Sequence, residues 1–397
     1  MRRQRDARSD GAFDAEGGGG PLRMHLYAVP AWARLTGSPL SAIEQKVLCR
    51  EAFDGVVVVL NQDGPLVERV AQLGMDCVVI PVEYRGLRSG GVVHFLRHFW
   101  AVAASRFRYV AGVRKMLRRV PGILHVHSRV MCGMYACLAG RLAGVPVVLS
   151  LHESPAPGRV HARLDGWWMI HWADRVIAVS AATAAEYRPF LRKKPIQVVH
   201  NCMTGLPSDI EFGRTGKPVV MFVGLAPSKR YGDFLAACRL LKERGVEFEG
   251  WLVGEWNSPE DRAKAERYVA QHGLGDVIVE KGLVKDMVAL YRAISVVAVP
   301  SQLEAFPRVI MEGMSHGLPV VATRVNGVPE MVEDTKTGFL IDVGDVQSLA
   351  ERLERLLRDP ALRERMGRAG RRRAEQLFAP ERYQREMLAI YREVVSS

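Results

Sequence analysis

Short apolar runs alternate with longer amphipathic segments from residue 24 to the end of the chain. In several runs apolar residues occupy consecutive positions, so a strand formed there is apolar on both faces. Strands of this kind are typical of parallel sheets that helices cover on both sides. The runs of a first series are MHLYAV, GVVVVL, DCVVIPV, ILHVHS, PVVLSLH, RVIAVS and IQVVHN. The runs of a second series are PVVMFVG, FEGWLVG, DVIVEKG, VVAVPS, PVVAT and TGFLID.

The two series predict an α/β fold with two Rossmann-like parallel-sheet domains that face each other across a cleft. The break lies where MTGLPSDIEFGRTGK lacks periodicity and carries glycines and a proline. Ligands of parallel sheets bind beyond the carboxyl ends of the strands, so the cleft is the expected active site. The predicted division is a disordered tail (1–23), a first domain (24–204), a linker (205–217), a second domain (218–376) and a final helix (377–397).

The final helix has apolar residues at helical spacing, so we expect it to be amphipathic and to cross back to the first domain. At the other end of the chain, the predicted tail alternates Arg and Asp before a run of glycines and cannot bury apolar surface. Met24 opens the first apolar run and is an alternative start of the chain.

The composition is that of a globular protein, since 48% of the 397 residues are hydrophobic and 25% are charged. The 6 cysteines form no C-x-x-C pair and no zinc-type spacing, so we interpret them as thiols of a reducing compartment, the cytoplasm. No apolar run reaches the ~20 residues that a transmembrane helix needs. The N-terminus also lacks the apolar core of a signal peptide.

The net charge of +12 is concentrated in the first half of the chain. No Asp or Glu lies between Glu83 and Glu153, and this stretch mixes aromatic residues with many arginines. One interpretation is a basic amphipathic surface (85–141) that binds anionic lipid at the inner face of the cytoplasmic membrane. The other is a solvated helix face whose aromatic residues belong to the core. Nucleic acid is not an expected partner, because no recognition motif accompanies the charge.

The residues that point to chemistry concentrate in PSQLEAFPRVIMEGMSHGLPVVAT (300–323). A strand is predicted to end here and a helix to begin near Phe306 or Pro307. The free amides of a helix's first turn, with the positive end of its dipole, bind phosphate. Glu304 precedes this helix and Glu312 lies about two turns further on, on a similar face. These carboxylates are suited to accept hydrogen bonds from sugar and ribose hydroxyls; the alternative is a loop acid and a solvated helix residue.

Glu304, seven intervening residues and Glu312, followed by GMSHGLPVVAT, resemble the E-x7-E signature of retaining glycosyltransferases of family four, which have the GT-B fold. The resemblance implies that Glu304 contacts the transferred sugar, that Glu312 holds the donor ribose and that the backbone between them binds the phosphates. Pro307 stands where many members have glycine, and it has no N–H to donate. The donor-binding residues implied for this segment are Glu304, Ala305, Phe306, Pro307, Arg308, Val309 and Glu312.

A second informative segment is FVGLAPSKRYGDFLAA (222–237), which has a strand, a turn at Gly224 and two cations before a helical pattern. A fixed cation at that point neutralises the charge that grows on a departing diphosphate. The segment resembles the family's G-R-L...K element, which implies that Gly224 and Lys229 bind the donor and that Lys229 is catalytic. Leu225 occupies the place of the family's Arg, and Arg230 is the candidate to replace it. The alternative is a pair of exposed cations at the start of a helix.

Histidines end two predicted strands of the first domain. ILHVHSR resembles the family's D-V-V-H-x-H strand, which implies that His127 is catalytic and reaches the donor or the reacting sugar. His152, in VVLSLHES, matches the family's second strand-end histidine and is a candidate for the acceptor side of the cleft. His125 is expected to point away from His127, into helix packing. A structural role is the alternative for each of these histidines.

Weaker matches to the family complete the predicted site. They are Gly37 beside the donor phosphates, Gly282, Leu283 and Val284 at the nucleotide base, and Asn201, Gly254 and Glu255 at the border of the cleft.

Together these features predict a hexosyltransferase-like enzyme that moves a sugar from a UDP- or GDP-sugar to a hydroxyl of a glycan or lipid-linked acceptor, with retention of configuration. The chain has no D-x-D pair, so no metal ion and no further cofactor is expected. The expected role is cell-envelope, exopolysaccharide or lipid-linked glycan synthesis in the cytoplasm. The alternatives are a nucleotide-sugar epimerase or phosphorylase of the same fold, or a non-catalytic basic protein at the membrane surface.

Overall fold

The structure, a computed structural model, describes residues 21–30, 37–82, 92–127, 131–153, 167–191, 194–210, 212 and 216–397. These residues form two parallel β-sheets with helices on both faces of each, which confirms the predicted fold class. Most of the predicted tail and part of the basic stretch, including Arg85, Arg88 and Arg129, lie outside the described residues.

The first sheet has seven described strands. They are β1 (Leu22–Pro30), β2 (Phe53–Leu60), β3 (Asp76–Val79), β4 (Gly122–His127), β5 (Val147–Leu151), β6 (Arg175–Ala178) and β7 (Ile196–Val198). Their order across the sheet is β3-β2-β1-β4-β5-β6-β7, and all neighbours are parallel. The direction of winding therefore reverses between β1 and β4, where ligands of such sheets bind.

The first strand begins earlier than the sequence predicted. Leu22 pairs with Phe53 of β2 and packs against the core of the first sheet. The assignment of Leu22 and Arg23 to a disordered tail is therefore wrong, because the ladder with β2 extends two residues beyond the apolar run that opens at Met24.

The second sheet has six described strands. They are β8 (Val219–Leu225), β9 (Glu249–Trp256), β10 (Ile278–Gly282), β11 (Val296–Val299), β12 (Val320–Thr323) and β13 (Gly338–Ile341). Their order is β10-β9-β8-β11-β12-β13, again parallel throughout. The winding reverses between β8 and β11, so the loops after these two strands border the second ligand-binding crevice.

Helices cover both sheets. In the first half they are α1 (Gly37–Val47), α2 (Pro65–Gln72), α3 (Val92–Arg119), α4 (Met131–Ala143), α5 (167–172) and α6 (Ala181–Leu191). In the second half they are α7 (Tyr231–Glu243), α8 (Pro259–Gln271), α9 (Met287–Ala293), α10 (Arg308–Ser315), α11 (Val328–Met331), α12 (Val346–Arg358), α13 (Pro360–Leu377) and α14 (Pro380–Ser396). Among the described helices, none combines the length and the apolar composition that crossing a membrane requires.

The last helix, α14, completes the core of the first sheet. Its apolar positions pack with α1, α2 and one face of β1, β2 and β4. Helices α3 to α6 cover the opposite face of that sheet. The buried residues of α14 are Tyr383, Met387, Ile390, Tyr391 and Val394.

Replacing Ile390 with Ala is expected to lower the free energy of unfolding by about 2–5 kcal/mol, because it removes a fully buried side chain and leaves a cavity. The loss of stability should appear first as faster hydrogen exchange of the backbone amides of β1 and β2, which are far from Ile390 in sequence. Arg385→Ala, at an exposed position of the same helix, is the matched control. Equal unfolding midpoints in urea for the two variants would contradict this role of α14.

Candidate active site

The loop that follows β11 lies against the carboxyl edge of the first sheet. The ring of Phe306 stacks on His200, just beyond β7, with centroids 4.9 Å apart. The amide of Gly327 donates to the Glu304 carbonyl (3.3 Å), and a Cβ on Gly327 would meet Cβ of Ser180, beyond β6, at 2.8 Å. The carboxyl edges of the two sheets therefore face each other across this loop.

Lys229 and Glu304 meet at the second sheet's crevice. The Lys229 Nζ donates to Glu304 Oε1 at 2.6 Å, and the Glu304 side chain is 9% exposed. Lys229 lies in a short 3-10 turn after β8, where its alkyl chain crosses Gly224. A Cβ on Gly224 would lie 3.3 Å from Lys229 Cγ, and its φ of +91° favours glycine. The Gln302 amide donates to the Ser228 carbonyl (3.0 Å), so the two strand-end loops are tied together.

Helix α10 begins at Arg308, one or two residues later than the predicted start at Phe306 or Pro307. Pro307 precedes it with φ −69° and ψ 125°, and its carbonyl accepts the first helical hydrogen bond, from Ile310 N at 3.1 Å. The missing N–H of Pro307 therefore lies outside the helix. The amides of Arg308 and Val309 remain as donors of the first turn, beside the Lys229–Glu304 pair.

The second glutamate of the motif, Glu312, is held by two donors. Arg308 Nε donates to Glu312 Oε1 (2.5 Å), and the Tyr291 hydroxyl donates to Oε2 (2.8 Å). Arg308 also donates through NH1 to Glu44 Oε2 of α1 (2.7 Å). Burial acts to lower the pKa of Arg308, but the carboxylates of Glu312 and Glu44 outweigh it, so the pKa is raised and the guanidinium stays charged.

A second contact joins the two halves at α6. The Glu330 carboxylate of α11 accepts from the amides of Ala181 (2.8 Å) and Ala182 (2.9 Å), so it caps the N-terminus of a helix in the other domain. His200 lies 3.1 Å from the same carboxylate. Burial acts to raise the pKa of Glu330, but His200 and the two amides lower it overall. The sequence reasoning identified neither Glu330 nor His200.

The strand-end histidines of the first sheet form one group. His127 Nδ1 and His152 Nε2 are 3.0 Å apart, and the rings of His125 and His127 stack with centroids 3.9 Å apart. The expectation that His125 points away from His127 is wrong, because residues two apart along a strand share a face. Among the described residues, no hydrogen bond joins this group to Lys229 or Glu304. His127 ends β4, two strands from β6, so it lies about 10 Å from the Ser180 end of that edge.

A buried polar chain connects the histidines to α14. Lys46 Nζ donates to the hydroxyls of Tyr391 (3.1 Å) and Tyr383 (3.2 Å). The Tyr391 hydroxyl is 2.6 Å from His125 Nδ1, and His125 Nε2 is 2.7 Å from the Ser150 hydroxyl. Each ring nitrogen of His125 therefore faces a hydroxyl that can either donate or accept, so a neutral ring is satisfied in both of its tautomers.

Burial keeps these histidines neutral. It lowers the pKa of His125 and of His127 well below the ordinary value, with a further contribution from the charge of Lys46. Burial likewise lowers the pKa of His152 to about 3 and that of Lys46 to about 8. The buried Nε2 of His127 has no hydrogen-bond partner within the described part of the protein. A neutral imidazole offers either a donor or an acceptor at that atom, which suits a ligand hydroxyl.

Some predicted site residues are engaged elsewhere. Arg230, with φ +61°, directs its guanidinium to Asp233 (2.5 and 3.1 Å) and not to the Lys229–Glu304 pair. Asn201 is buried and accepts from Gln45 Nε2 of α1 (3.3 Å), so it helps to seat that helix.

Gly254 and Glu255, which the family resemblance placed at the border of the cleft, lie inside β9. The ladder between β8 and β9 shifts register after Val223 and resumes at Leu225, which pairs with Trp256. Gly254 has a φ of +116°, and a Cβ there would be 3.6 Å from Gly224 N. The register shift lies where Gly224 and Gly254 approach each other, and the strand continues beyond it.

The remaining predicted residues lie at the start of α1 and at the end of β10. Gly37 is the first residue of α1, the helix whose Glu44 reaches Arg308, and residues 31–36 before it lie outside the described part. Gly282 ends β10 with φ +61°, and Leu283 after it is 69% exposed. Across the described residues, no three or more His, Cys, Asp or Glu side chains lie together in an arrangement that could hold a metal ion.

Sequence profiles of two families match the chain. The family described as Glycosyltransferase Family 4 matches residues 51–203, and the family described as Glycosyl transferases group 1 matches residues 209–373. The first match spans β2 to β7 and the second spans β8 to β13. The two matches therefore meet at the junction between the two sheets.

Individual proteins are similar over most of this length. The alpha-D-kanosaminyltransferase of Streptomyces kanamyceticus is 29% identical over 301 residues, which is 67% of this chain and 76% of the relative. The N-acetyl-alpha-D-glucosaminyl L-malate synthase of Bacillus anthracis is 27% identical over 293 residues, 69% of this chain and 75% of the relative.

Two solved structures share the fold. Anabaena HepE, determined in complex with UDP-glucose, has a TM-score of 0.75 at 20% identity, over 93% of this chain and 99% of its own. The sucrose-phosphate synthase of Thermosynechococcus elongatus has a TM-score of 0.72 at 19% identity, over 94% of this chain and all of its own. Both likenesses extend over both sheets, so the relative arrangement of two facing domains is shared as well.

The neutral histidines predict that the protein loses stability in acid. Below about pH 6.5 the histidines of the unfolded chain take up protons that the folded His125, His127 and His152 do not. The unfolded state then binds more protons, so the free energy of unfolding should fall as the pH drops from about 6.5 towards 3. Urea unfolding at four pH values from 4.5 to 7.5, on the order of one pH unit apart, measures this slope.

Replacing His152 with Asn should flatten that slope by up to about 1.4 kcal/mol per pH unit, the value for one proton. His272→Gln, at the C-terminal end of α8, is the matched control. A His152 variant with the wild-type slope would show that this histidine is not held neutral.

Proposed function

The chain belongs to glycosyltransferase family four and is a glycosyltransferase, and on this basis we propose that it retains the configuration of the sugar that it transfers and needs no metal ion. The observation that carries the proposal is the 2.6 Å contact of Lys229 with Glu304 beside the N-terminus of α10. Family membership favours transfer over the epimerase, phosphorylase and non-catalytic alternatives. The first domain (24–204) would bind the acceptor and the second (218–376) the donor.

The donor is a nucleoside-diphosphate sugar. Its diphosphate lies at the first turn of α10, where the amides of Arg308 and Val309 and the helix dipole favour negative charge. The Lys229 ammonium has three donors, of which one binds Glu304 and two remain for phosphate oxygens. Glu312 accepts from the ribose hydroxyls. Gly224, Gly254 and the Gly282–Val284 turn leave room for the nucleotide along the edge of the second sheet.

Transfer proceeds on one face of the sugar. The acceptor oxygen forms a bond to the anomeric carbon as the bond from that carbon to the phosphate oxygen breaks. The leaving phosphate oxygen takes the acceptor's proton, so the nucleoside diphosphate departs on the side from which the acceptor enters. Lys229 and the α10 amides stabilise the charge that develops on the leaving diphosphate.

His127 contacts the sugar from the opposite domain. It stays neutral because it is buried, and its free Nε2 is available to a sugar hydroxyl. His152 fixes the orientation of the His127 ring through their 3.0 Å contact. Closure of the two domains then places the sugar between His127 and Glu304 and excludes water from the cleft.

The acceptor is a glycan or lipid-linked molecule presented at an anionic membrane surface. On α3 the side chain of Phe107 is 74% exposed, and Arg108 next to it and Lys115, two turns further on, are exposed as well. Arg114 and Arg118 of the same helix donate to the Leu142 carbonyl at the end of α4 instead. An exposed aromatic ring beside exposed cations is typical of surfaces that bind anionic headgroups.

Replacing Lys229 with Ala should lower kcat by about 100-fold or more, because the leaving diphosphate loses its fixed cation. The assay is release of UDP or GDP from a panel of UDP- and GDP-sugars, with and without a glycan acceptor, and NMR of the product reports the anomeric configuration. Lys264→Ala, at an exposed position of α8, is the matched control.

Near-wild-type turnover by Lys229→Ala, inversion at the anomeric carbon, or loss of turnover in EDTA that Mg²⁺ restores would each contradict the proposed mechanism. Unfolding midpoints of both variants separate a catalytic defect from misfolding.

Replacing Arg108 and Lys115 together with Ala should weaken binding to anionic vesicles by about 30-fold, since each cation near such a surface contributes about 1 kcal/mol. Co-sedimentation with phosphatidylserine-containing and pure phosphatidylcholine vesicles measures the difference. Arg365→Ala with Arg372→Ala, two exposed cations of α13, is the control of equal charge. Binding that does not depend on anionic lipid would contradict this acceptor surface.

A further inference from the structure

A continuous row of charged and polar side chains crosses the cleft between α1 and α10. Arg69 NH2 donates to Glu44 Oε1 at 2.7 Å, and Arg308 NH1 donates to the other oxygen of Glu44 at 2.7 Å. Arg308 Nε donates to Glu312 Oε1 at 2.5 Å, and Tyr291 donates to Glu312 Oε2 at 2.8 Å. Arg308 therefore bridges two carboxylates that belong to different domains.

The row is shielded from water, so its charges interact more strongly than those of a surface pair. The side chains of Glu44 and Glu312 are 9% and 13% exposed, and that of Arg308 is 26% exposed. Without the guanidinium the two carboxylates would face each other across the cleft with no cation between them. Like charges at such a distance, away from solvent, repel and favour separation of the domains.

The position of Arg308 links this row to the donor site. It is the first residue of α10, where the diphosphate is proposed to bind, and Glu312 lies one turn further on the same helix. The contact of Arg308 with Glu312 can form within α10 alone, as is usual for side chains four residues apart. The contact with Glu44 requires that α1 lie against α10, because 264 residues separate the two partners in sequence.

Glu312 has the remaining capacity that a ribose needs. A carboxylate has about four lone-pair positions, of which Arg308 and Tyr291 use two. The hydroxyls of a ribose require two acceptors in a fixed geometry. The orientation of the carboxylate plane, which Arg308 and Tyr291 set, therefore decides whether both hydroxyls can be bound.

We propose that Arg308 is a positioning residue that orients Glu312 towards the donor ribose and, through Glu44, makes this orientation depend on contact between the two domains. The proposal rests on the proposed function, because it takes Glu312 as the ribose-binding group. It adds that donor affinity and domain closure are coupled through one side chain. Coupling is reciprocal, so a bound nucleotide must stabilise the contact between α1 and α10 to the same extent.

The test compares Glu44→Gln, Arg308→Met and the double variant. Glu44→Gln removes the negative charge that pairs with Arg308 across the cleft and leaves the pair within α10 intact. Binding of UDP and of GDP is measured by calorimetry, and kcat and KM are measured with the donor sugar that wild type turns over. We expect Glu44→Gln to raise the dissociation constant and the donor KM by about 5-fold or more, the usual lower range of such coupling, while kcat changes less than KM.

Arg308→Met should weaken nucleotide binding further, because Glu312 loses its orientation as well. The double variant should bind no more weakly than Arg308→Met alone, since Glu44 acts through Arg308 and its negative charge is also removed. Small-angle scattering of the nucleotide-free proteins should show that Glu44→Gln is more expanded than wild type. Arg262→Met, which removes a solvated Arg–Glu pair of the same spacing on α8, is the matched control.

Two results would overturn the role of Arg308. One is that Glu44→Gln keeps the wild-type dissociation constants and the wild-type KM. The other is that the increases in the dissociation constant caused by the two single substitutions multiply in the double variant. A wild-type protein that turns over no donor sugar and binds neither nucleotide would instead contradict the proposed function. In that case the scattering of Glu44→Gln, compared with that of wild type, still shows whether the contact of Glu44 with Arg308 keeps the two domains close together. Unfolding midpoints of all variants exclude a general loss of stability.

Discussion

All described strands of each sheet run in one direction, and this constraint determines where chemistry is possible. Every strand of a parallel sheet ends at the same edge, and the winding reverses once in each sheet, between β1 and β4 and between β8 and β11. The reversal opens a crevice at each edge, and the two crevices face each other. His127 ends β4, Lys229 follows β8 and Glu304 follows β11. Residues that are far apart in the chain therefore reach the carboxyl edges of the two sheets without any long excursion of a loop.

The polar groups at the facing edges are stabilised in two different ways. Those of the second sheet form ion pairs, and those of the first sheet are buried and uncharged. On the second sheet, Lys229 and Arg308 neutralise the two glutamates of the motif. On the first sheet, burial keeps the imidazoles uncharged, so His127 adds a hydrogen-bonding atom without adding a charge. A negatively charged ligand thus meets the Lys229 ammonium where its phosphates are expected to lie, and the neutral His127 ring where its sugar is expected to lie.

Local patterns in the sequence predicted the fold class and the loop that carries Glu304, because apolar strand runs and a proline at a helix start are features of neighbouring residues. The structure also brings Lys229 to Glu304. The resemblance of their two segments to the family's motifs had implied that both residues bind the donor. The spacing of Arg308 and Glu312 on one helix was visible in the sequence as well. The contact of Arg308 with Glu44 was not, since nothing local to either residue specifies a partner 264 residues away. His125 and His127 are two residues apart on β4, so strand alternation places them on one face, and their contact could be predicted from the sequence.

The packing of α14 has a consequence for how the protein is made. The core of the first domain includes Tyr383, Ile390 and Tyr391 of α14. On a ribosome the first domain emerges early but lacks these side chains until α14 has been synthesised and has left the exit tunnel. The second domain can finish its own core before that moment. The domain that is synthesised first is therefore the one that completes folding last. Until then one apolar face of its sheet stays exposed in the nascent chain, where chaperones can bind it.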